Sequence, residues 1–146
     1  MLKGISNILN GDLLKILSDM GHGDLLAIVD ANYPAITMGK RVIEMPGVHA
    51  VQVLEAIMPL FPVDHIMKEP ALLMDIEPED RAAGIGEPEI FGEFREVLNR
   101  EPGRNVAVGR CSRSAFYEMS KSAFAIIHTG ENRLYGNLLL FKGVIV

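Results

Sequence analysis

Apolar residues along this 146-residue chain fall into short blocks of two kinds that alternate from end to end. In the first kind the spacing is helical. Leu13, Leu14 and Leu17 share one face of a helix over about 11–20, with Asn10 placed to cap it and Gly21 and Gly23 to stop it. Val51, Leu54, Ile57 and Met58 predict a helix over 50–58 that ends near Pro59. Ile90, Phe94, Val97 and Leu98 predict another over about 88–99, and Ser112 or Ser114 can cap a further helix through Ser120. Blocks of the second kind are continuous. Leu25-Leu26-Ala27-Ile28-Val29 is too short for a helix and apolar throughout, which predicts a strand buried on both faces. Residues 71–76, 124–128 and 137–141 read as strands, as do the shorter stretches 41–44 and 106–108. Between them, 30–34 is a loop in which Pro34 holds Tyr33 extended, and 77–87 is an exposed acidic loop.

Alternating strands and helices predict an α/β fold: a single domain over 1–146, with a mixed β-sheet flanked by helices. The connection between the last two strands, Thr129-Gly130-Glu131-Asn132-Arg133, is short enough for antiparallel pairing, hence the expectation of a mixed sheet.

Composition narrows the partners. A net charge of -5, with no basic block or basic helix face, points away from nucleic acid and anionic membranes. No apolar run approaches the roughly 18 residues of a membrane span, and Met1-Leu2-Lys3-Gly4-Ile5 lacks the apolar core of a signal peptide. The single cysteine, Cys111, excludes an internal disulfide framework and suits a reducing compartment. The expectation is a cytoplasmic protein.

The candidate chemistry begins at Gly21-His22-Gly23-Asp24. His22 lies beyond a helix C-terminus, where the dipole favours a protonated ring suited to a general acid; an exposed capping histidine is the competing role. The flanking glycines let another backbone or a ligand approach closely. Asp30 follows the buried strand at its carboxyl end, where open α/β sheets bind ligands, or else it caps its own loop through the amides of Asn32 or Tyr33. Five extended residues span about 17 Å. If the strand is straight, His22 and Asp30 do not meet directly; either the chain bends around the histidine or neighbouring subunits contribute to each site. Tyr135-Gly136-Asn137 offers an aromatic face and an amide suited to a sugar, or a plain turn before a strand. Arg113 is one of three arginines, with Arg104 and Arg110, that could meet a hydroxyl-rich or anionic ligand, and Tyr117 suits core or pocket wall. His49, His65 and His128 form no metal-ligand pattern, and Ala83-Gly84-Ile85-Gly86 follows no strand, so neither a metal nor a nucleotide cofactor is expected.

These residues also resemble a known family. Gly21-His22-Gly23-Asp24 with Asp30-Ala31-Asn32-Tyr33-Pro34-Ala35 is similar to the start of the sugar mutarotase family that joins D-ribose pyranases and L-fucose mutarotases. The run from Val53 to Asp64 looks like its second helix. Ala115-Phe116-Tyr117-Glu118, Lys121-Ser122-Ala123-Phe124-Ala125, Thr129-Gly130-Glu131, Tyr135-Gly136-Asn137 and Lys142-Gly143-Val144 continue the match in order. Arg113, where ribose pyranases carry histidine, and Gly136, where they tend to carry alanine, favour the fucose branch. Ser114, Asn32 and the acidic stretch 77–104 depart from the pattern.

The resemblance implies a three-layer fold and a cofactor-free isomerase that interconverts the anomers of a free monosaccharide, most closely L-fucose. His22 would be its catalytic acid/base, with Asp30, Arg113, Tyr135, Gly136 and Asn137 binding the sugar. It also implies ring-shaped homo-oligomers, commonly decamers, with pockets between subunits. The alternatives are a D-ribose pyranase and a non-catalytic sugar-binding protein.

Overall fold

The five residues of β1 (Leu25–Val29) are all buried, as their unbroken apolar run requires. They lie near the middle of a six-stranded sheet in the computed structural model, which describes residues 1–146. The other strands are β2 (Val42–Met45), β3 (Ala71–Met74), β4 (Val108–Cys111), β5 (Ala125–Thr129) and β6 (Leu138–Phe141), in the order β2-β5-β1-β6-β3-β4. Only β6 runs against the rest, pairing antiparallel with both β1 and β3.

The sheet is therefore mixed, as expected, but not through the expected pair. β5 and β6 do not touch as neighbours, because β1 lies between them. The connection from β5 crosses over the end of β1, where the Glu131 carbonyl accepts the Ala31 amide at 2.8 Å. That bridge, not a hairpin turn, occupies the short polar link.

The helices are α1 (Gly11–Asp19), α2 (Ala35–Met38), α3 (Ala50–Ile57), α4 (Pro78–Ala82), α5 (Glu89–Leu98) and α6 (Arg113–Ser122). The Asn10 side chain accepts the Leu13 amide at 2.8 Å and caps α1, a contribution of about 1 kcal/mol. Of the two candidate caps for α6, Ser112 takes the role, accepting from Ala115. α3 packs on α5 and α6 on α2, and both α3 and α6 also reach β1. Leu26, Ile28, Leu54, Ile57, Phe91, Phe94 and Phe116 are fully enclosed, each contributing about 1.5–3 kcal/mol relative to an exposed side chain. No helix is long and apolar enough to cross a membrane.

Two short helices are absent from the apolar pattern. α2 follows Pro34 and buries only Ala35. α4 sits inside the supposed acidic loop, with no buried residue, Pro78 in its first turn, and Glu79 and Asp80 beside its amino end. The strand expected at 106–108 lies instead at Val108–Cys111. Its register is set by pairing Ala71 with Val108, and its polar Arg110 is tolerated because β4 is an edge strand.

Candidate active site

The topology gathers one end of the sheet. The carboxyl ends of the five parallel strands and the amino end of β6 emerge together, so Asp30, Asn137, Met74 and Arg113 approach from four different strands. With Asn32, Tyr33, Asp80, Tyr117, Leu134 and Tyr135 they line a cleft of about 160 Å³. Four of the sequence-derived candidates, Asp30, Arg113, Tyr135 and Asn137, thus meet in one place. Gly136, between two of them, is buried behind the wall.

Asp30 and Asn137 form a reciprocal pair. The Asp30 amide donates to Asn137 Oδ1 at 2.9 Å, and Asn137 Nδ2 donates to Asp30 Oδ2 at 2.9 Å. Continued outward, the pairing of Ile28 with Leu138 puts Asn137 opposite Val29, one residue short of Asp30, so the asparagine side chain reaches along the strand to meet Asp30. Asp30 Oδ1 also accepts the Asn32 amide at 3.0 Å, so the loop-capping role foreseen for Asp30 is present as well. Burial pushes the Asp30 carboxyl above its ordinary value, and hydrogen bonds from Asn137, Asn32 and Tyr33 only partly offset it. A carboxylate oriented this way accepts hydrogen bonds from hydroxyl groups or takes a proton from one.

Tyr135 stands out in the backbone. Its φ of 63° is left-handed, a conformation that costs a residue with a side chain about 1–2 kcal/mol. Contacts at both ends of the residue hold it there. Its hydroxyl donates to Asp80 and accepts the Glu77 amide at 2.9 Å, while its carbonyl accepts the Asn137 amide at 2.8 Å. Burial, then the bond to Asp80, pushes its hydroxyl above the ordinary tyrosine value. A Cβ on Gly136 would stand 2.7 Å from Glu131 Cγ, which is why no larger residue fits.

Glu131 props the segment from below. Its side chain is buried and accepts from the Arg133 amide at 3.2 Å and from Arg133 Nε at 2.9 Å. Burial works to raise the carboxyl, but Arg133 outweighs it and holds the group below its ordinary value.

Arg113 opens α6 at the mouth of the cleft, half exposed, with Nη2 3.6 Å from Glu77 Oε2. Arg110 does not compete for the cleft, since Asp75 and Glu87 hold it; Arg104 pairs with Glu101. Tyr117 is pocket wall, with its ring edge-on to Tyr33 at 5.1 Å. The Tyr33 hydroxyl bonds Ser120 Oγ at 2.6 Å, and burial pushes it up to about 12. Asp80, Met74 and Tyr33 are cleft residues that the sequence pattern did not single out. For Asp80 the available signal was Glu77-Pro78-Glu79-Asp80, a helix start that carries a carboxylate toward the sheet end.

His22 is elsewhere. It lies beyond α1, across the straight β1 from Asp30, about 17 Å of strand away. Its Nε2 is 3.3 Å from Asp64 Oδ2, a buried carboxylate. The Ile66 amide, with His22 adding to it, holds Asp64 below its ordinary value. Gly143 lets its chain pass close to the Asp64 backbone, its would-be Cβ lying 2.8 Å from Asp64 Cα. A histidine backed by an ionised carboxylate is the arrangement that orients an imidazole for proton transfer. The neighbouring cavity of about 710 Å³ is lined largely by apolar groups, among them Leu14, Leu17, Leu60 and Pro62, with Lys142 beside them.

The other histidines stand apart from both regions' linings: His128 bonds Glu44 and the Ala31 carbonyl, and His49 is 3.9 Å from Glu131. Burial pushes the Cys111 thiol up, which disfavours a thiolate. No group of three or more His, Cys, Asp or Glu side chains is placed to hold a metal ion.

The chain is 40% identical to the fucose mutarotase of Homo sapiens over 147 residues, covering 99% of this chain and 94% of that protein. It superposes on the fucose mutarotase of Streptococcus pneumoniae, solved in complex with L-fucose, with a TM-score of 0.91 and 36% identity; the match covers 99% of this chain and 100% of the other. Against RbsD of Bacillus subtilis, solved with D-ribose, the TM-score is 0.72 and the identity 26%, with both chains covered in full. The family model described as the RbsD / FucU transport protein family matches residues 3–145, and the chain belongs to that family.

Proposed function

We propose that this protein is an isomerase, a mutarotase that interconverts the α and β anomers of free L-fucose by acid/base ring opening and closure, with residues 1–146 acting as one sugar mutarotase-like domain. The observation that carries this is the convergence of Asp30, Arg113, Tyr135 and Asn137 on one small polar cleft at the carboxyl ends of the strands. The relatives support fucose over ribose: identity and TM-score are both higher toward the fucose mutarotases than toward the ribose-bound neighbour.

In this reading the cleft holds the sugar. Asp30 and Asn137 accept and donate to its hydroxyls, Tyr135 offers a ring face, and Arg113 donates at the mouth. Gly136 keeps the wall close. Opening the hemiacetal removes the proton of the anomeric hydroxyl, delivers a proton to the ring oxygen and breaks the bond between C1 and that oxygen. The aldehyde then rotates about C1–C2 and recloses, with the two protons returned. His22, backed by Asp64, carries one of these transfers.

One copy cannot bring His22 to its own cleft across a straight buried strand, so the working site takes the histidine from a neighbouring copy. This supports a homo-oligomer, with a decameric ring as the proposed form. Exposed apolar side chains around His22, Leu60 and Ile145 among them, fit burial against such a neighbour. We place the reaction in the cytoplasm, where the unpaired Cys111 stays reduced.

NMR saturation transfer between the anomers tests the assignment. The protein should accelerate exchange of L-fucose, and His22→Ala should lower the catalysed rate by roughly 10²–10⁴-fold. Exchange at the buffer rate for fucose, ribose and galactose alike would overturn it. Faster exchange between pyranose and furanose forms of ribose than between fucose anomers would make it a ribose pyranase. Tight sugar binding without acceleration would make it a binding protein.

A further inference from the structure

Asp80 lies on a helix that buries nothing, yet its side chain faces the cleft. The carboxylates around it are engaged. Asp75 is held by Arg81 at 2.8 Å and by Arg110 at 3.2 Å, Glu87 is held by Arg110, and Glu77 faces Arg113. Glu79 is exposed and stands outside the cleft lining. Asp80 has no cationic partner. Its single side-chain bond is to Tyr135, through Oδ2, so Oδ1 has no protein partner.

The Tyr135 hydroxyl is fully committed at the same time. Its one proton goes to Asp80, and it accepts the Glu77 amide at 2.9 Å. A hydroxyl has one proton to give, so Tyr135 has none left for a ligand. A sugar presents several hydroxyl donors, and at this wall the unpaired acceptor is the second oxygen of Asp80. Hydrogen bonds to an ionised carboxylate are about twice as strong as neutral ones.

We propose that Asp80 is a sugar-binding residue, holding Tyr135 with one carboxylate oxygen and accepting a hydroxyl of the sugar with the other. The assignment rests on the mutarotase reading of the cleft and names a determinant of which sugar it takes. A sugar whose hydroxyl at that position is absent, or points to the other face of the ring, loses the contact.

Monodeoxy forms of L-fucose, one for each hydroxyl in turn, test this by their dissociation constants with three proteins: the native chain, Asp80→Ala and Tyr135→Phe. For one deoxy sugar the native protein should show a loss of roughly tenfold or more. That loss should disappear in Asp80→Ala and survive in Tyr135→Phe. Should Asp80→Ala fail to fold, as judged by its amide spectrum, Asp80→Leu serves, since it keeps a similar shape and has no acceptor oxygen. Equal penalties in the native and Asp80 proteins would overturn the proposal. So would a penalty that vanishes in both variants, because Asp80 would then act only by placing the tyrosine. These results leave the mutarotase reading standing. A native protein that neither binds L-fucose nor speeds its anomer exchange removes both.

Discussion

At the scale of single residues the cleft is built from groups in uncomfortable states. Asp30 is a carboxyl pushed above its ordinary value of 3.8 by burial. The native state therefore keeps this proton to higher pH than the unfolded chain does. Its contribution to stability is greatest below 3.8 and declines as the pH rises through the raised native value. Asp30→Asn lacks this slope, so in urea unfolding the native protein's stability relative to the variant should fall as the pH rises across that window. Parallel stability curves would show that Asp30 is not desolvated. Gly136 is constrained by space alone, its would-be Cβ lying 2.7 Å from Glu131 Cγ and 3.3 Å from Ile90 Cδ1. Glu131 is pinned by Arg133 and cannot step aside cheaply. Gly136→Ala should cost about 1–3 kcal/mol, read as a lower thermal midpoint, and should weaken fucose binding by moving Tyr135 and Asn137. A variant with native stability and affinity would mean that the loop gives way freely.

At the scale of elements, what the sequence made legible follows from burial. β1 was readable residue for residue because both its faces are covered and every position must be apolar. α1, α3 and α5 were readable because one stripe of each enters the core, and α6 from its serine caps. α4 was not, since it buries nothing and leaves no apolar period to find. The site was half legible for a related reason. Asp30, Tyr135 and Asn137 flank readable strands, whereas Asp64 and Asp80 gain their meaning from partners far along the chain, His22 and Tyr135.

The segment from Gly130 to Asn137 behaves as an element without being helix or strand, and Glu131 is its internal brace. Glu131→Gln replaces a charge-assisted pairing with Arg133 by a neutral one and should cost about 2 kcal/mol in urea unfolding. It should also raise KM for fucose more than it lowers kcat. Because the native Glu131 carboxyl sits below its ordinary value of 4.5, the native protein should lose this advantage as the pH falls through its native value. An advantage unchanged at low pH would argue against the ion pair.

At the scale of the whole molecule, β1 acts as a spacer that keeps His22 with Asp64 and the cleft around Asp30 apart within one copy. The proposed assembly makes a sharp prediction. His22→Ala and Asp30→Asn should each be inactive alone, and co-expression of the two should restore anomer exchange, because some sites then take a native His22 and a native cleft from different copies. No recovery in mixed oligomers would mean that each chain completes its own site.

β6 carries a consequence for how the molecule comes into being. The strand made last is inserted between β1 and β3, so every earlier strand belongs to one of two unjoined half-sheets, β2-β5-β1 and β3-β4. Both halves present an open apolar edge until Leu138–Phe141 arrives, and no local contact can close it sooner. The same four residues set Asn137 against Asp30. Joining the sheet and completing the cleft are thus one event, and a chain in which β6 has not yet docked has no half-formed site with which to hold a sugar.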